Sequence, residues 1–293
     1  MAPRNVTKIW LEPYRSFGEI QRRGLPLRLT CRTCNVILRA DLDVLIWARE
    51  AELVAEINSA RTNSLFLPSA TLSDTIRATG DLGEMAGLDA LLVVTPAQHM
   101  GSVLAAMPDH PRDLVLCSKG IEAGTGRLMN HVAKDAAPGS AIAVLSGPTF
   151  AHEVAAGLPT AVTLACAEGE EQWDRIAPLV ARQAFRPYFS DDVTGAEIGG
   201  SVKNVLAIAC GVVDGLGLGQ NARAALIARG YAEMLRFGET LGARAETLAG
   251  LCGLGDLVLT CSSTSSRNFS LGVALGEGGK ASELMADRKT VAE

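Results

Sequence analysis

A lysine inside a long apolar segment is the residue whose surroundings most strongly suggest chemistry. Lys203 lies in the first turns of a predicted helix, within the segment GGSVKNVLAIACGVVDGLGLGQNARAALIARG. A buried ammonium group is costly unless it is paired or partly neutralised. An isolated lysine of this kind usually extends to the surface, but Asn204, Asp214, Asn221 and several glycines share its segment. We therefore interpret Lys203 as a functional residue.

A second group of polar residues lies in the segment GLCGLGDLVLTCSSTSSRN. Asp256 is expected in a glycine-rich turn, and Ser265, Ser266, Arg267 and Asn268 open a predicted helix. A helix N-terminus with serine, arginine and asparagine side chains is suited to bind an anion. The alternative is a serine-rich N-cap beside a solvated arginine.

Further candidates lie where predicted strands end. Lys119 follows the strand in DLVLCSKG, and Gly147, Thr149 and Ala151 lie between a strand and a helix in LSGPTFA. The ammonium group and the exposed backbone amides of the other three residues are placed to face a ligand. The alternatives are a surface lysine and an ordinary strand–turn–helix connection.

A scaffold of alternating strands and helices has to position these residues. The predicted strands span residues 43–49, 88–96, 113–120, 140–150, 160–166 and 185–192. Continuous apolar strands between helical stretches indicate an α/β fold with a mostly parallel sheet that is covered on both faces. Ligands bind at the carboxyl ends of the strands in such sheets.

The sequence changes character after about Asp192. The segments that follow are rich in alanine, leucine and glycine with helical spacing, and further helices are predicted at 221–241, 245–252 and 267–275. No strand precedes GLGLG (Gly215–Gly219), so we interpret it as a turn rather than a phosphate loop. We predict a dinucleotide-binding domain over residues 1–192 and a helical substrate domain over residues 193–293.

Composition and charge exclude several classes of protein. Hydrophobic residues make up 48% and charged residues 20% of the 293 residues, as in globular proteins. The net charge of −5 argues against broad nucleic-acid binding. We expect no membrane span and no secretory signal, because no apolar run is long enough. Seven cysteines, scattered through apolar segments, favour a reducing cytoplasm.

No metal site is predicted. The four histidines lack metal-binding spacing. Cys31 and Cys34 have no second pair downstream that would complete a zinc site. Arg49, at the end of the first strand, instead suggests a nucleotide. An arginine at that position of a dinucleotide-binding fold accommodates a 2′-phosphate, which indicates NADP or the use of both NADP and NAD.

Four segments resemble the bacterial-type NAD(P)-dependent glycerol-3-phosphate dehydrogenase family, in order from about Asp43 to Glu293. They are SKGIE, LSGPTFAHEVAAGLPTAV, GGSVKNVLAIACGVVDGLGLGQNARAALIARGYAEM and GLCGLGDLVLTCSSTSSRN. The resemblance implies a Rossmann-type domain followed by an all-helical domain, with the active site between them. It also implies reversible, cytoplasmic reduction of dihydroxyacetone phosphate to sn-glycerol 3-phosphate, a precursor of glycerophospholipids.

The resemblance assigns roles to individual positions. Lys203 matches the catalytic lysine. The implied substrate contacts are Lys119, Gly147, Thr149, Lys203, Asp256, Ser266, Arg267 and Asn268. The implied cofactor contacts are Arg49, Lys119, Ala151, Arg267, Val291 and Glu293. The cofactor is expected to be NADP or NAD and the ligand a small phosphorylated molecule, with a homodimer as the candidate assembly.

Lysine suits this reaction. Hydride addition to the ketone carbon leaves negative charge on the carbonyl oxygen, and an ammonium group can neutralise and protonate that oxygen. The ordinary lysine pKa of about 10.4 is too high for a base in the reverse direction. We therefore expect burial or a second cation, such as Lys119, to lower the pKa of Lys203, and Asp256 to position its ammonium group.

Two parts of the sequence depart from the family pattern. The family begins with a strand and a glycine-rich pyrophosphate loop, whereas residues 1–40 contain no G-x-G-x-x-G. We interpret residues 1–40 as non-native sequence in preference to a newly evolved loop. The family also continues past RKTVAE, so a shortened helical domain is expected. The alternatives are a non-catalytic homologue that keeps only the phosphate pocket, or another small-hydroxyacid dehydrogenase.

Overall fold

The computed structural model of the protein describes residues 43–68 and 70–286. The strands of this part are β1 (Val44–Trp47), β2 (Ile76–Thr79), β3 (Ala90–Val93), β4 (Asp113–Leu116), β5 (Ala141–Ser146), β6 (Thr160–Cys166) and β7 (Phe185–Ser190). The helices are α1 (Ala51–Ala60), α2 (Ala97–Ala105), α3 (Met129–Ala136), α4 (Ala151–Ala155), α5 (Glu170–Val180), α6 (Val193–Gly215), α7 (Gly219–Thr240), α8 (Ala245–Leu248), α9 (Asp256–Thr260), α10 (Arg267–Gly276) and α11 (Ala281–Ala286).

A mostly parallel sheet forms the first half of the described chain. Its strand order is β3-β4-β5-β6-β7, and β1 pairs with β2 in a separate parallel ladder. All neighbours in the larger sheet run parallel except β5 and β6, where Ser146 lies opposite Thr163 in an antiparallel register. The predicted α/β architecture with a mostly parallel sheet is confirmed.

The sheet is buried on both faces, as its continuous apolar strands predict. Neighbouring residues of one strand enter different cores: Val115 packs in one cluster, while Leu114 and Leu116 pack in the other. Successive side chains of a strand point to opposite faces. The helices that follow the strands cover these faces, so ligands have access at the strand ends.

The second half of the described chain is helical, with no strand between residues 191 and 286. Asp192 caps α6 by accepting a hydrogen bond from the amide of Gly195 at 2.8 Å, and it also accepts one from the amide of Arg244 at 2.8 Å. The change from β7 to α6 lies at the predicted boundary. The division into two domains, 1–192 and 193–293, stays a prediction.

Helix α6 is the central element of the helical half. A Cβ on Gly211 would lie 2.1 Å from the carbonyl oxygen of Phe269, and one on Gly272 would lie 2.0 Å from that of Ile208. Only glycine therefore allows α6 and α10 to approach so closely. Among the described helices, α6 alone is long and apolar enough to cross a membrane, and more than half of its most apolar stretch is buried within the protein.

Three details differ from the sequence-based expectations. Strand β2 was not predicted, because IRAT is short and contains an exposed arginine, Arg77. The predicted helix 245–252 ends at Leu248 and is followed by a π-helix, Leu251–Gly255. The expectation that Asp256 lies in a glycine-rich turn is wrong, since Asp256 is the first residue of α9.

The glycines explain why that expectation was wrong. A Cβ on Gly253 would lie 1.9 Å from the carbonyl oxygen of Leu248. The glycine therefore permits close packing within a helical segment and does not reverse the chain. The turn predicted at Gly215–Gly219 is confirmed, with positive φ angles of 68° at Gly217 and 83° at Gly219 between α6 and α7.

Candidate active site

Two lysines share one buried carboxylate at the centre of the molecule. Asp256 Oδ2 accepts a hydrogen bond from Lys119 Nζ at 2.9 Å and forms an ion pair with Lys203 Nζ. The exposed fractions of the three side chains are 1% for Asp256, 9% for Lys203 and 25% for Lys119. The cluster is therefore dry around Lys203 and Asp256 and opens to solvent at Lys119.

Two consecutive glycines let this cluster form. A Cβ on Gly199 would lie 2.2 Å from the carbonyl oxygen of Cys252, in the π-helix that precedes Asp256. A Cβ on Gly200 would lie 3.4 Å from Lys119 Cγ. The segment that carries Asp256 and the stem of Lys119 thus approach α6 from two sides, one turn before Lys203.

The second oxygen of the carboxylate is held by a residue that sequence reasoning missed. Thr260 Oγ1 donates a hydrogen bond to Asp256 Oδ1 at 3.3 Å. Both residues lie on α9, four positions apart, and that spacing places them on one face of a helix. The spacing is visible in DLVLT, but it places the two side chains together only in a helix, and Asp256 was expected in a turn.

The surroundings shift the pKa values of this cluster. Burial, and then repulsion from Lys119, lower the pKa of Lys203 from 10.5 to about 7, although Asp256 opposes the shift. Burial also works against the charged form of Asp256, but attraction to the two lysines outweighs it and lowers the pKa of Asp256. At neutral pH a charged carboxylate therefore lies beside a lysine that can both donate and accept a proton.

Other predicted residues lie at the carboxyl ends of the strands. Gly147 directly follows β5, and a Cβ there would lie 2.9 Å from the Cα of Val162. Thr149 Oγ1 donates a hydrogen bond to the carbonyl oxygen of Gly147 at 3.4 Å, and Ala151 is the first residue of α4. Arg49 lies two residues after β1 and is exposed.

Two hydroxyl groups near these strand ends were missed by the sequence reasoning. Thr95 Oγ1, two residues after β3, and Ser146 Oγ, the last residue of β5, are buried without a hydrogen-bond partner in the structure. Buried polar atoms are rarely left without partners. Together with the glycine at 147, this edge of the sheet fits a bound polar ligand such as a dinucleotide.

The first turn of α10 contains the predicted phosphate-binding residues. Ser266 is buried and caps the helix by accepting a hydrogen bond from the amide of Phe269 at 3.2 Å. Arg267 is exposed and Asn268 is half-buried. Along the contact between α10 and α6, Phe269 lies against Gly211 and residue 273 lies against residue 215. These contacts run parallel along the two helices, so the first turn of α10 lies toward the middle of α6, where Lys203 is found.

Some of the sequence-based expectations concern residues outside the described ranges. These residues are Cys31, Cys34, Val291 and Glu293. Between residues 43 and 286, the described cysteines are buried and unbridged. The same described residues contain no group of three or more histidine, cysteine, aspartate or glutamate side chains that is arranged to hold a metal ion.

Known families match most of the sequence. The N-terminal region of the NAD-dependent glycerol-3-phosphate dehydrogenases matches residues 33–172, and the C-terminal region matches residues 192–293. The first match begins before Asp43, where the resemblance was expected to start. These two matches cover both halves of the fold described above.

Individual relatives agree with the family match. The glycerol-3-phosphate dehydrogenase (NAD(P)+) of Erythrobacter litoralis is 76% identical over 251 residues, which are 86% of this chain and 76% of the relative. That of Novosphingobium aromaticivorans is 72% identical over the same shares of the two chains. The solved glycerol-3-phosphate dehydrogenase of Coxiella burnetii is 38% identical, with a TM-score of 0.85 over 92% of this chain and 85% of that one. The chain belongs to the NAD-dependent glycerol-3-phosphate dehydrogenase family.

Proposed function

We propose that this protein reduces dihydroxyacetone phosphate reversibly to sn-glycerol 3-phosphate, with NADP or NAD as the cofactor. The observation that supports this most directly is the shared contact of Lys119 and Lys203 with Asp256, in a chain that is 76% identical to a glycerol-3-phosphate dehydrogenase. The alternatives, a non-catalytic homologue and a dehydrogenase of another hydroxyacid, are not favoured by these relatives.

Lys203 is the proposed proton donor and acceptor. During reduction, its ammonium group donates a proton to the substrate oxygen on which negative charge develops. In the reverse direction the neutral amine accepts the hydroxyl proton. Because its pKa is lowered to about 7, both forms are present at neutral pH, and the same residue serves both directions.

The neighbours of Lys203 hold it and the substrate in place. Asp256 orients the ammonium group through their ion pair, and Lys119 adds a positive charge at the open side of the cluster. We assign the substrate phosphate to Ser266, Arg267 and Asn268 at the first turn of α10. The phosphate does not react, so the free energy of its binding can be used to position the reacting carbonyl.

Gly147 and Thr149 complete the proposed substrate contacts at the end of β5. A Cβ at residue 147 would collide with the backbone of Val162, so only glycine lets the chain leave β5 this close to β6. The substrate is a small phosphorylated molecule, and its orientation at this edge of the sheet is part of the proposal.

The cofactor, when bound, supplies the hydride. Arg49, Lys119, Ala151 and Arg267 are the described residues that we propose to hold it. The position of Arg49 after β1 supports contact with an adenosine 2′-phosphate and hence a preference for NADP. For Val291 and Glu293 the proposed contact rests on the sequence resemblance alone.

We propose that the protein acts in the cytoplasm as a homodimer without a membrane span. Burial of more than half of the apolar stretch in α6 supports its role as a core helix. Exposed apolar side chains in the helical half, at Val205, Leu216 and Leu218, support a protein partner on that half. Light scattering on the purified protein would give the mass of the assembly.

A direct assay tests the proposed reaction. Purified protein is mixed with dihydroxyacetone phosphate and NADPH, and the loss of reduced nicotinamide absorbance is followed against Lys203→Ala. Turnover that depends on the substrate and on Lys203 is expected. A folded protein that shows no turnover with either NADPH or NADH would contradict the proposal.

A further inference from the structure

Two hydrogen bonds tie the loop that carries Lys119 to helix α6. This lysine loop, residues 117–130, connects β4 to α3 and includes the first two residues of α3. Near its start, Ser201 Oγ donates to the carbonyl oxygen of Gly120 at 3.1 Å. At its end, the amide of Asn130 donates to Glu197 Oε1 at 2.7 Å. The donor Ser201 and the acceptor Glu197 therefore lie on the same helix as Lys203.

Glu197 and Ser201 form one continuous contact surface on α6. They are four residues apart and therefore lie on the same face of the helix. Both are buried, with exposed fractions of 5% and 8%. The Ser201 hydroxyl also lies 2.8 Å from the carbonyl oxygen of Glu197, so its single proton is shared between the loop and its own helix.

Glu197 supplies a helix cap that α3 does not provide for itself. The N-cap residue of α3, Leu128, forms no side-chain cap, and Glu197 accepts the amide hydrogen bond of the second helical residue, Asn130, instead. Burial raises the pKa of Glu197 to about 8, although the hydrogen bond from Asn130 opposes this. Near pH 7 the carboxyl group is therefore mostly neutral and can accept this bond without placing a charge in the interior.

Gly200 places the side chain of Lys119 beside these two hydrogen bonds. It lies between Glu197 and Ser201, and a Cβ there would contact the stem of Lys119 at 3.4 Å. The loop backbone is bonded to α6 through residues 120 and 130, and the lysine stem lies against α6 at Gly200, next to the bond from Ser201. Neither Glu197 nor Ser201 has a role in the reaction proposed above.

We propose that Glu197 and Ser201 are positioning residues, which bond the lysine loop to α6 and thereby hold the Lys119 and Lys203 ammonium groups together on Asp256. The catalytic consequence rests on the proposed function; the structural tie does not. Loosening the tie lets Lys119 move away from the cluster. Lys203 then loses a repulsive neighbour and retains the full attraction of Asp256.

The direction of the kinetic effect follows from these charges. Among the described residues, the titratable groups that interact with Lys203 are the Lys119 ammonium, the Asp256 carboxylate and the Cys261 thiol. Withdrawal of Lys119 raises the pKa of Lys203 through both the lost repulsion and the undivided attraction. Oxidation of glycerol 3-phosphate needs the neutral amine. The acid limb of its pH profile, where kcat/KM rises with pH, therefore moves to higher pH.

Variants with matched controls separate the positioning role from a general structural one. Ser201→Ala and Glu197→Ala each remove one bond to the loop. Glu197→Gln keeps a neutral acceptor of the same size. Ser102→Ala removes an exposed serine on α2 whose hydroxyl donates to the carbonyl oxygen of His99 in its own helix. Each protein is examined by hydrogen exchange of residues 117–130 and by the pH dependence of kcat/KM for glycerol 3-phosphate oxidation.

The expected result has two parts. Ser201→Ala and Glu197→Ala speed exchange in residues 117–130 about fivefold, as expected for one lost hydrogen bond. They also move the acid limb upward by about one pH unit, while Glu197→Gln and Ser102→Ala change neither property. Ser201→Ala keeps the test decisive if Glu197→Ala does not fold.

Three outcomes would overturn the inference. Unchanged exchange in the alanine variants would show that the bonds do not hold the loop. Faster exchange with an unchanged acid limb would show that the two hydrogen bonds hold the loop but do not affect the pKa of Lys203. A shift in Glu197→Gln as large as in Glu197→Ala would assign the effect to ionisation of the carboxyl group. A parent without turnover would refute the proposed function separately, while hydrogen exchange would still decide whether the loop is tied.

Discussion

Two buried aspartates with basic partners lie near opposite ends of β4. Asp113 begins the strand and receives two hydrogen bonds from Arg175, at 2.8 and 2.9 Å, and one from Gln172 at 3.1 Å. Lys119 follows the other end of the strand and shares Asp256 with Lys203. Each site buries a carboxylate against cationic side chains, but the chemistry of the cations differs.

The difference lies in whether the cation can lose its proton. A guanidinium group binds a carboxylate with two parallel hydrogen bonds and stays charged. Its bonds with Asp113 raise the pKa of Arg175 further. A buried lysine beside a second lysine instead has its pKa lowered to about 7. The arginine site is therefore fixed and structural, whereas the lysine site can exchange protons at neutral pH.

The largest effect that distinguishes the two sites is expected from Lys203→Ala. Removal of an acid–base group lowers kcat by about 10³-fold. The fold should persist, because Lys119 still pairs with Asp256. Initial-rate kinetics and urea unfolding measure the two quantities. A variant that retains more than about a tenth of the parental kcat would contradict the role of Lys203.

Asp113→Asn is expected to reverse this pattern by destabilising the protein and sparing the reaction. It should lower the free energy of unfolding by about 2 kcal/mol, less than for a fully buried pair because Arg175 is a quarter exposed. The kcat should stay within about twofold of the parent. Asp135→Asn is the matched control, since Asp135 pairs with Arg127 at the surface and should cost at most about 1 kcal/mol.

Lys119→Gln sharpens the comparison within the lysine site. The acid limb of glycerol 3-phosphate oxidation should move upward by about one pH unit, because the pKa of Lys203 rises when a neighbouring positive charge is removed. KM should also rise if Lys119 contacts the substrate. An acid limb that moves to lower pH would show that Lys119 does not repel Lys203.

Arg175→Lys should give the smallest change. Lysine keeps the charge but loses the two-bond geometry, which should lower the free energy of unfolding by about 1 kcal/mol. The pH profile of the reaction should not move, because Arg175 lies at the other end of β4. Parallel urea unfolding and pH profiles of the variant and the parent test both expectations.

Sequence reasoning worked best where one segment contained the whole signal. A lysine in an apolar helix predicted a buried, functional Lys203, and continuous apolar strands predicted the parallel sheet. The same logic applied to Glu197, an acidic residue in the equally apolar segment GAEIGGSV, but it was not used there. The resemblance to a family supplied the individual roles, which the residue pattern alone left open.

The missed features depend on contacts between distant segments. The close approach of the segment before Asp256 to α6 depends on Gly199, whose purpose is visible only when Cys252 lies against it. The π-helix before Asp256 also depends on packing, because its glycines would equally suit a turn. Strand β2 is stabilised by pairing with β1 rather than by an apolar run of its own.

The pH dependence of kcat/KM for glycerol 3-phosphate oxidation shows whether Lys203 acts as the base. We expect kcat/KM to rise with pH through a midpoint near 7, set by deprotonation of Lys203. The substrate phosphate titrates near pH 6, at about the value for phosphorylated side chains, so the shift in Lys119→Gln assigns the midpoint to the lysine. A flat profile, or a midpoint near the ordinary lysine value of about 10.4, would show that a lysine with a lowered pKa is not the base.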